Sequence, residues 1–119
     1  MHKQHRLRRA SDIEKVRLSN RRYHHALAVL QVRKTDEQIS RFGYSASRRV
    51  GNAVKRNRAK RLLREATRGH LLEIKPGWDC LFIARDKTAV ASFWEVEKAV
   101  VALLGQAQLF ITDNSDLPA

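Results

Sequence analysis

The segment from Arg48 to Arg68, RRVGNAVKRNRAKRLLREATR, constrains the fold of this chain more than any other. It contains nine Lys and Arg residues, and Glu65 is its one acidic residue. At about 100° per residue, its apolar side chains share one side of a helix, and its basic side chains lie mostly on the other. The apolar side consists of Ala59, Leu62, Leu63 and Ala66. The pattern predicts a helix from about Asn52 to Arg68 that packs on a core and keeps a basic face in water.

The basic face of this helix has a spacing suited to a polyanion. This face consists of Asn57, Lys60, Arg61, Arg64 and Arg68. Because these residues recur mostly at intervals of three and four, neighbouring cations can meet successive phosphates. Arginine binds phosphate through two parallel hydrogen bonds and stacks on bases, and an asparagine amide both donates and accepts. Glu65 lies one turn from Arg61 and is expected to pair with it. An acidic protein or a membrane surface is the other kind of partner that a basic amphipathic helix can bind.

The charge of the whole chain is concentrated in its first part. The formal net charge is +12, and residues 1–68 contain 20 basic and 5 acidic residues, against 4 and 7 in residues 69–119. Such an asymmetry indicates a surface for a polyanion on one part of the molecule. A basic face that serves only solubility is the alternative.

The elements around the helix predict an α+β domain. Ser11 and Glu14 form a capping-box pattern for a first helix that carries Ile13 and Val16. Strands are predicted at residues 26–33 and 41–47, which would pair as a hairpin because no helical segment separates them. Residues 78–84, WDCLFIA, have the continuous apolar pattern of a central strand.

The C-terminal part predicts a turn, a helix and a tail. Pro76-Gly77 marks the turn, and Ser92 with Glu95 supplies a second capping box. The helix behind it places five apolar residues on one face: Phe93, Val96, Val100, Leu103 and Leu104. We expect one domain over residues 1–119, structured from about 6 to 110, with a flexible tail at 111–119. The predicted architecture is a two-layer sandwich in which helices pack on a central sheet.

Signatures of catalysis and of metal binding are absent from the sequence. A single cysteine, Cys80, excludes a disulfide framework and a cysteine-based zinc site, and its apolar surroundings predict a buried thiol. The five histidines have no metal-ligand spacing, and no glycine pattern matches a phosphate-binding loop. We therefore expect no catalytic residue, no protein-bound metal and no small-molecule cofactor. Without a long apolar stretch or a signal-peptide core, a cytoplasmic protein that does not contact membranes is expected.

The stretch from Ser47 to Glu65 resembles the protein subunit of bacterial ribonuclease P. It carries the Gly-Asn-Ala-Val run at residues 51–54 and the Arg-Asn-Arg signature at residues 56–58, continued by Lys60-Arg61 and Arg64-Glu65. Weaker similarity extends from His5 to about Leu109, and includes Arg6-Leu7 and the pattern from Pro76 to Arg85. The resemblance implies an α+β sandwich with a left-handed βαβ crossover that leads into the signature helix.

The resemblance also implies a function. The family protein assists a catalytic RNA that removes the 5′ leader from precursor tRNA by phosphodiester hydrolysis, with Mg²⁺ bound mainly by RNA. It implies an RNA-binding role for Arg56, Asn57, Arg58, Lys60, Arg61 and Arg64. We expect five further residues of the same stretch to bind RNA as well: Arg48, Arg49, Asn52, Lys55 and Arg68. A cleft between the first helix and the sheet would hold the single-stranded leader, and Ile13 and Arg17 stand there where the family commonly has aromatic residues. Tyr44 or Phe42 is the candidate for supplying a ring to that cleft, with packing in the core as the alternative for both.

Three rival functions remain open on the sequence. The first is a ribosomal or other housekeeping RNA-binding protein without a role in processing. The second is a DNA-binding protein that places the basic helix in a major groove. The third is a protein-only nuclease, which would need an acidic metal cluster that the sequence does not show.

Overall fold

The computed structural model describes residues 3–111, which form a four-stranded mixed sheet and three α-helices. The strands are β1 (Arg21–His24), β2 (Ala28–Lys34), β3 (Arg41–Ala46) and β4 (Trp78–Ala84). The helices are α1 (Ala10–Arg17), α2 (Ala53–Arg68) and α3 (Phe93–Gln106). The order across the sheet is β1-β2-β4-β3; β4 is parallel to β3 and antiparallel to β2, and β1 is antiparallel to β2. The predicted α+β sandwich is confirmed, and α2 forms the crossover between the parallel strands β3 and β4.

The predicted hairpin of residues 26–33 with residues 41–47 is wrong. β4 lies between β2 and β3, and β2 forms its hairpin with β1, a strand that the sequence analysis missed. The sequence of β1, RRYH, is short and polar, and three of its four residues are exposed. β4 takes the central position because its residues are almost all apolar: Cys80 and Phe82 are fully buried against one face of the sheet, and Leu81 against the other.

The two predicted capping boxes have different outcomes. At α3, Ser92 Oγ accepts from the Glu95 backbone N–H at 3.2 Å, and Glu95 Oε1 accepts from the Ser92 N–H at 3.0 Å, so that box is confirmed. At α1, the box of Ser11 and Glu14 is wrong, because the helix begins at Ala10 and Ser11 lies inside it. Its N-cap is Arg9, whose side chain makes no capping hydrogen bond.

Helices cover both faces of the sheet. The main core lies between one face and the helices α2 and α3, where the predicted apolar residues of both helices are buried, Phe93 only in part. On the other face, α1 places Val16 against Leu7 and Leu81 in a smaller cluster. The sheet is therefore open on the α1 side wherever this single short helix does not cover it.

The described residues extend slightly beyond the predicted structured range of about 6 to 110. Residues Lys3–His5 form a 3₁₀ turn, and His5 Nδ1 lies 2.9 Å from the Ser40 carbonyl oxygen, so ordered structure begins before position 6. Ile111 donates its N–H to the Glu73 carbonyl at 2.8 Å. The rest of the tail, residues 112–119, lies outside the described residues. Each of the described helices is too short or too polar to cross a bilayer.

Candidate nucleic-acid interface

A tight turn aims α2 away from the end of β3. Ser47 Oγ accepts from the Arg49 N–H, and Arg48–Val50 form one 3₁₀ turn. Gly51 then adopts φ +136°, a conformation that side chains disfavour, and a Cβ there would lie 2.7 Å from Lys55 Cδ. Asn52 follows as the N-cap, and its Oδ1 accepts from the Lys55 N–H at 3.0 Å. The amide oxygen of Asn52, a residue expected to bind RNA, is thus already used to begin the helix.

All eleven residues expected to bind RNA lie on α2 or on the turn that leads into it. The structure confirms the apolar stripe, since Ala59, Leu63 and Ala66 are almost completely buried. Arg56 and Lys60 are half-buried, and the other nine residues are exposed: Arg48, Arg49, Asn52, Lys55, Asn57, Arg58, Arg61, Arg64 and Arg68. α2 therefore presents a continuous basic surface to solvent.

The arginines of α2 have different neighbours. Arg58 lies on the flank that faces the 3₁₀ turn Thr88–Val90, and its Nε donates to the Ala89 carbonyl at 2.8 Å. Glu65 pairs with Arg68 rather than with Arg61, so the expected partner of Glu65 is wrong. Arg64 lies on the opposite flank, with its guanidinium carbon 5.7 Å from the centre of the Tyr44 ring. The two flanks of α2 thus present arginine to different surroundings.

The N-terminal segment adds two arginines that the sequence analysis did not place in the site. Leu7 donates its N–H to the Phe42 carbonyl at 2.9 Å, so residues 6–8 run parallel to the edge of β3. Because side chains alternate along an extended segment, Leu7 points into the cluster under α1, and Arg6 and Arg8 point toward α2. In Arg6-Leu7-Arg8, charged and apolar residues alternate as they do in an extended segment, and this is the sequence signal that could have revealed the two arginines.

These arginines help to form a basic cavity between the N-terminal segment, β3 and α2. Its volume is about 370 Å³, and four cations line it: Arg6, Arg8, Lys60 and Arg64. Leu7, together with Phe42, Gly43 and Tyr44 of β3, completes the lining. Gly43 allows the close approach of the N-terminal segment, because a Cβ there would lie 3.1 Å from the Leu7 carbonyl oxygen. A cavity with this charge and size can hold a phosphate group.

Tyr44 belongs to this basic cavity and not to a cleft beside α1. Its ring stacks on Phe82 at 6.0 Å in the main core, on the face of the sheet that carries α2. Burial raises the pKa of the Tyr44 hydroxyl well above its usual range, so the hydroxyl stays neutral. The expected grouping of Tyr44 with Ile13 and Arg17 is therefore wrong, because alternation along β3 directs Tyr44 to the opposite face.

Ile13 and Arg17 do lie together on the α1 side of the sheet. Ile13 is half-buried against the cluster of Leu7, Val16 and Leu81, where Ile83 of β4 is also partly exposed. Arg17 is exposed at the end of α1, and its carbonyl accepts from Gln31 Nε2 at 2.9 Å. The structure thus provides a shallow apolar strip beside α1 with a cation at one end.

An ion-paired arginine holds α1 against the sheet. Arg41 Nε and one terminal nitrogen donate to the two carboxylate oxygens of Asp79 at 2.9 and 2.8 Å, and the other terminal nitrogen donates to Asp12 of α1 at 3.3 Å. Hydrogen bonding to Asp79 raises the pKa of Arg41. Asp79 is buried, and Arg41 donates hydrogen bonds to both of its carboxylate oxygens. The bond from Arg41 to Asp12 ties α1 to this buried pair.

The described residues offer little for protein-based catalysis. Cys80 is fully buried, and burial raises the pKa of its thiol, so it remains in the unreactive neutral form. Within residues 3–111, no three His, Cys, Asp or Glu side chains converge in a group that could hold a metal ion. The chemistry that this surface supports is the binding of phosphates and bases.

Comparison with known proteins gives a consistent result. Residues 1–108 match the model of the Ribonuclease P family. A ribonuclease P protein component of Dehalococcoides mccartyi is 42% identical over 109 residues, which cover 92% of this chain and 89% of the relative. That of Clostridioides difficile is 36% identical over 106 residues, covering 88% and 93%.

Solved structures agree with the sequence relatives. A mutant of the RNase P protein from Staphylococcus aureus superposes with a TM-score of 0.83 at 26% identity, covering 91% of this chain and 92% of that one. The RNase P protein from Thermotoga maritima gives a TM-score of 0.76 at 30% identity, covering 85% and 96%.

Proposed function

Because this chain belongs to the family of bacterial ribonuclease P protein components, we propose that α2 and the basic cavity bind the catalytic RNA of that enzyme and that the complex removes the 5′ leader from precursor tRNA. The chain is the protein subunit of an endoribonuclease whose chemistry is carried out by RNA. The family match does not support the alternative of a ribosomal or other housekeeping RNA-binding protein.

The continuous basic surface of α2 is the observation that carries the proposal. It joins exposed arginines such as Arg61 and Arg64 to the cavity that Arg6 and Arg8 complete. Binding at such a surface replaces the counterions that surround RNA phosphates, so their release favours the complex. Guanidinium groups also fit phosphate oxygens in pairs, which favours a defined orientation of the RNA on the helix.

The apolar strip beside α1 is the proposed place of the leader. Ile13 and Ile83 offer apolar contact to unstacked bases, and Arg17 offers a cation to the backbone phosphates or a planar group for stacking. Tyr44 is not a part of this strip, so aromatic stacking from β3 does not contribute to it. The Arg41 pair sets the position of α1 and thereby the width of the strip.

Of the α2 residues, Asn57 has the side chain best suited to contact a metal-bound water or the substrate. Its exposed amide can bind a metal-bound water, a ribose hydroxyl or a base edge, whereas its cationic neighbours bind phosphate. The Mg²⁺ ions would be bound mainly by the RNA. The protein would neutralise phosphate charge and position the RNA strands around these ions.

Reconstitution of the full chain with the catalytic RNA of a bacterial ribonuclease P tests the proposal. Cleavage of precursor tRNA is measured at low Mg²⁺, where the protein should matter most because it supplies positive charge. We expect the protein to increase the rate of 5′ leader removal several-fold or more. The same rate with and without the protein would contradict the proposal.

Two further arms of the experiment separate the rival functions. Tighter binding to duplex DNA than to the catalytic RNA would favour a DNA-binding protein. Cleavage by the protein after complete removal of RNA would favour a protein-only nuclease. We expect neither result, because the chain belongs to the family of ribonuclease P protein components.

A further inference from the structure

An exposed apolar patch lies beside the basic surface of α2. Three large apolar side chains are exposed there: Val54, Val90 and Trp94, with 76%, 76% and 69% of their surface accessible. Exposed aromatic residues are uncommon unless they serve an interaction, because a buried ring gains more from leaving water than most other side chains. The proposed function uses none of these three residues.

The hydrogen bond of Arg58 and the chain connections place the three residues in one region of the molecule. Val54 is one turn before Arg58 on α2, and the Arg58 Nε bond to the Ala89 carbonyl joins this flank of the helix to the turn Thr88–Val90. Val90 follows Ala89 directly, and Trp94 lies four residues later at the start of α3. We call the set of Val54, Val90 and Trp94 the corner patch.

The indole of Trp94 is held in place although it is exposed. Its ring meets the ring of Phe93 edge-on at 5.1 Å, and Phe93 packs against the main core. The capping box of Ser92 and Glu95 fixes the backbone on both sides of Trp94. A ring that is held in this way loses little conformational freedom when a partner binds.

The charge around the corner patch favours a polyanion. Arg58 and Arg61 are exposed one turn apart on α2, and Lys55 is exposed in the turn before Arg58, so cations of the proposed RNA surface adjoin the patch. Glu95, next to Trp94, keeps its negative charge, and its carboxylate accepts a hydrogen bond from the Ser92 N–H in the capping box. Aromatic rings flanked by cations are the usual means of binding unpaired nucleotides, because the base stacks on the ring and the phosphate meets the cation.

We propose that the corner patch binds an unpaired nucleotide of the ribonuclease P RNA, whose base stacks on Trp94 and whose phosphate meets Arg58 or Arg61. This inference rests on the proposed function of α2. It adds to that function an aromatic contact that extends the RNA surface from the second helix to the start of the third.

Titration of the catalytic RNA with variants of Trp94 tests the inference. Trp94→Ala should weaken binding by about tenfold, whereas Trp94→Phe should keep most of the affinity because a phenyl ring also stacks. The slope of log affinity against log salt should not change in either variant, since stacking neutralises no phosphate. Leu72→Ala is the matched control, because Leu72 is 97% exposed on another surface.

Fluorescence provides a readout that a purely structural role would not affect. The chain contains two tryptophans, so Trp78→Phe leaves Trp94 as the single indole. Addition of the catalytic RNA should quench its emission, and addition of inorganic phosphate at the same ionic strength should not. Unchanged emission and unchanged affinity of Trp94→Ala would overturn the inference.

Two outcomes separate this inference from its alternatives. If Arg64→Ala weakens RNA binding and Trp94→Ala does not, the proposed function stands and the corner patch does not bind RNA. If neither variant weakens binding, the proposed function of α2 fails as well. Self-association of the protein that Trp94→Ala abolishes, at unchanged RNA affinity, would make the patch a protein interface and overturn the inference.

Discussion

At the scale of single residues, the side chains of α2 divide into those with a partner inside the molecule and those directed to the cavity or to solvent. Arg58 donates to the Ala89 carbonyl, and Arg68 pairs with Glu65. Lys60 and Arg64 line the basic cavity, where Arg64 also lies over the Tyr44 ring. Similar cations on one helix are thus expected to contribute unequally to binding, because an arginine with an internal partner must exchange that partner for a phosphate.

Removal of a cavity cation should alter the salt dependence of RNA binding. Arg64→Ala should reduce the slope of log affinity against log salt by about 0.7 to 0.9, the amount expected for one phosphate contact. Binding is measured by titration with the catalytic RNA at several salt concentrations. Arg22→Ala is the control: it removes the same charge from β1, at the sheet edge farthest from β3, and should leave the slope unchanged. An unchanged slope for Arg64→Ala would contradict the contact.

Asn57 should affect catalysis more than folding. Asn57→Ala removes an exposed amide from the middle of a helix, where alanine has the higher helix propensity, so the stability should not fall. Cleavage by the reconstituted enzyme should nevertheless become slower at limiting Mg²⁺ and recover at high Mg²⁺. Equal rates of the variant and the unchanged protein across a Mg²⁺ titration would argue against a place near metal or substrate.

At the scale of elements, local signals decide how well each boundary can be predicted. α2 begins after Asn52 and α3 after Ser92, where a side chain caps the first turn as the sequence indicated. α1 has no such cap, and its start was misplaced. A helix without a local start signal depends on tertiary contacts, here the packing of Val16 and the bond from Arg41 to Asp12.

The capping box of α3 should make stability depend on pH in a defined direction. Hydrogen bonds from Ser92 lower the pKa of Glu95, so the ionised carboxylate favours the folded state. This stability is present above the pKa of an unfolded glutamate, about 4.3, and is lost as the pH falls through the lower folded value.

Glu95→Gln isolates this effect, because glutamine keeps the reciprocal hydrogen bonds and lacks the charge. The variant should be less stable than the unchanged protein near pH 7, and the difference should disappear as the pH falls below the lowered pKa of Glu95 and the carboxylate becomes protonated. Thermal unfolding across this pH range gives the measurement. A difference that persists in acid would show that the charge of Glu95 does not contribute.

At the scale of the whole molecule, the site is assembled from parts that are distant in the sequence. The N-terminal segment reaches the edge of β3, and α2 returns over the same strand, so that Arg6 and Arg64 line one cavity. Several like charges close together repel each other, and an anion in the cavity would relieve that repulsion. The folded state should therefore be coupled to the binding of RNA.

Gly43→Ala tests this assembly. The new Cβ would lie 3.1 Å from the Leu7 carbonyl oxygen and 3.3 Å from Leu7 Cβ, so the N-terminal segment has to yield by a few tenths of an ångström. We expect a loss of about 1–3 kcal/mol in the free energy of unfolding, as for other overpacked sites. RNA binding should weaken as well, because Arg6 and Arg8 shift with the segment. Gly105→Ala is the control, since no atom lies within 4 Å of a Cβ at that position. Unchanged RNA affinity in Gly43→Ala would show that the segment does not help to form the site.

The sequence by itself determined those features that depend on local periodicity and capping. It predicted α2 with its buried and basic faces, the central strand β4, the start of α3 and the family resemblance carried by residues 47–65. These are recoverable because a helix of period 3.6 and a buried strand leave a pattern in neighbouring residues.

The tertiary structure alone decided the partners of each strand, the face that each strand residue occupies and the composition of the cavity. It placed β4 between β2 and β3, directed Tyr44 toward α2 rather than α1, and brought Arg6 and Arg8 to Lys60 and Arg64. Strand order follows from which apolar surfaces cover each other, and that depends on residues far apart in the chain. A local pattern shows that a strand has two faces, but only packing decides which helix covers each one.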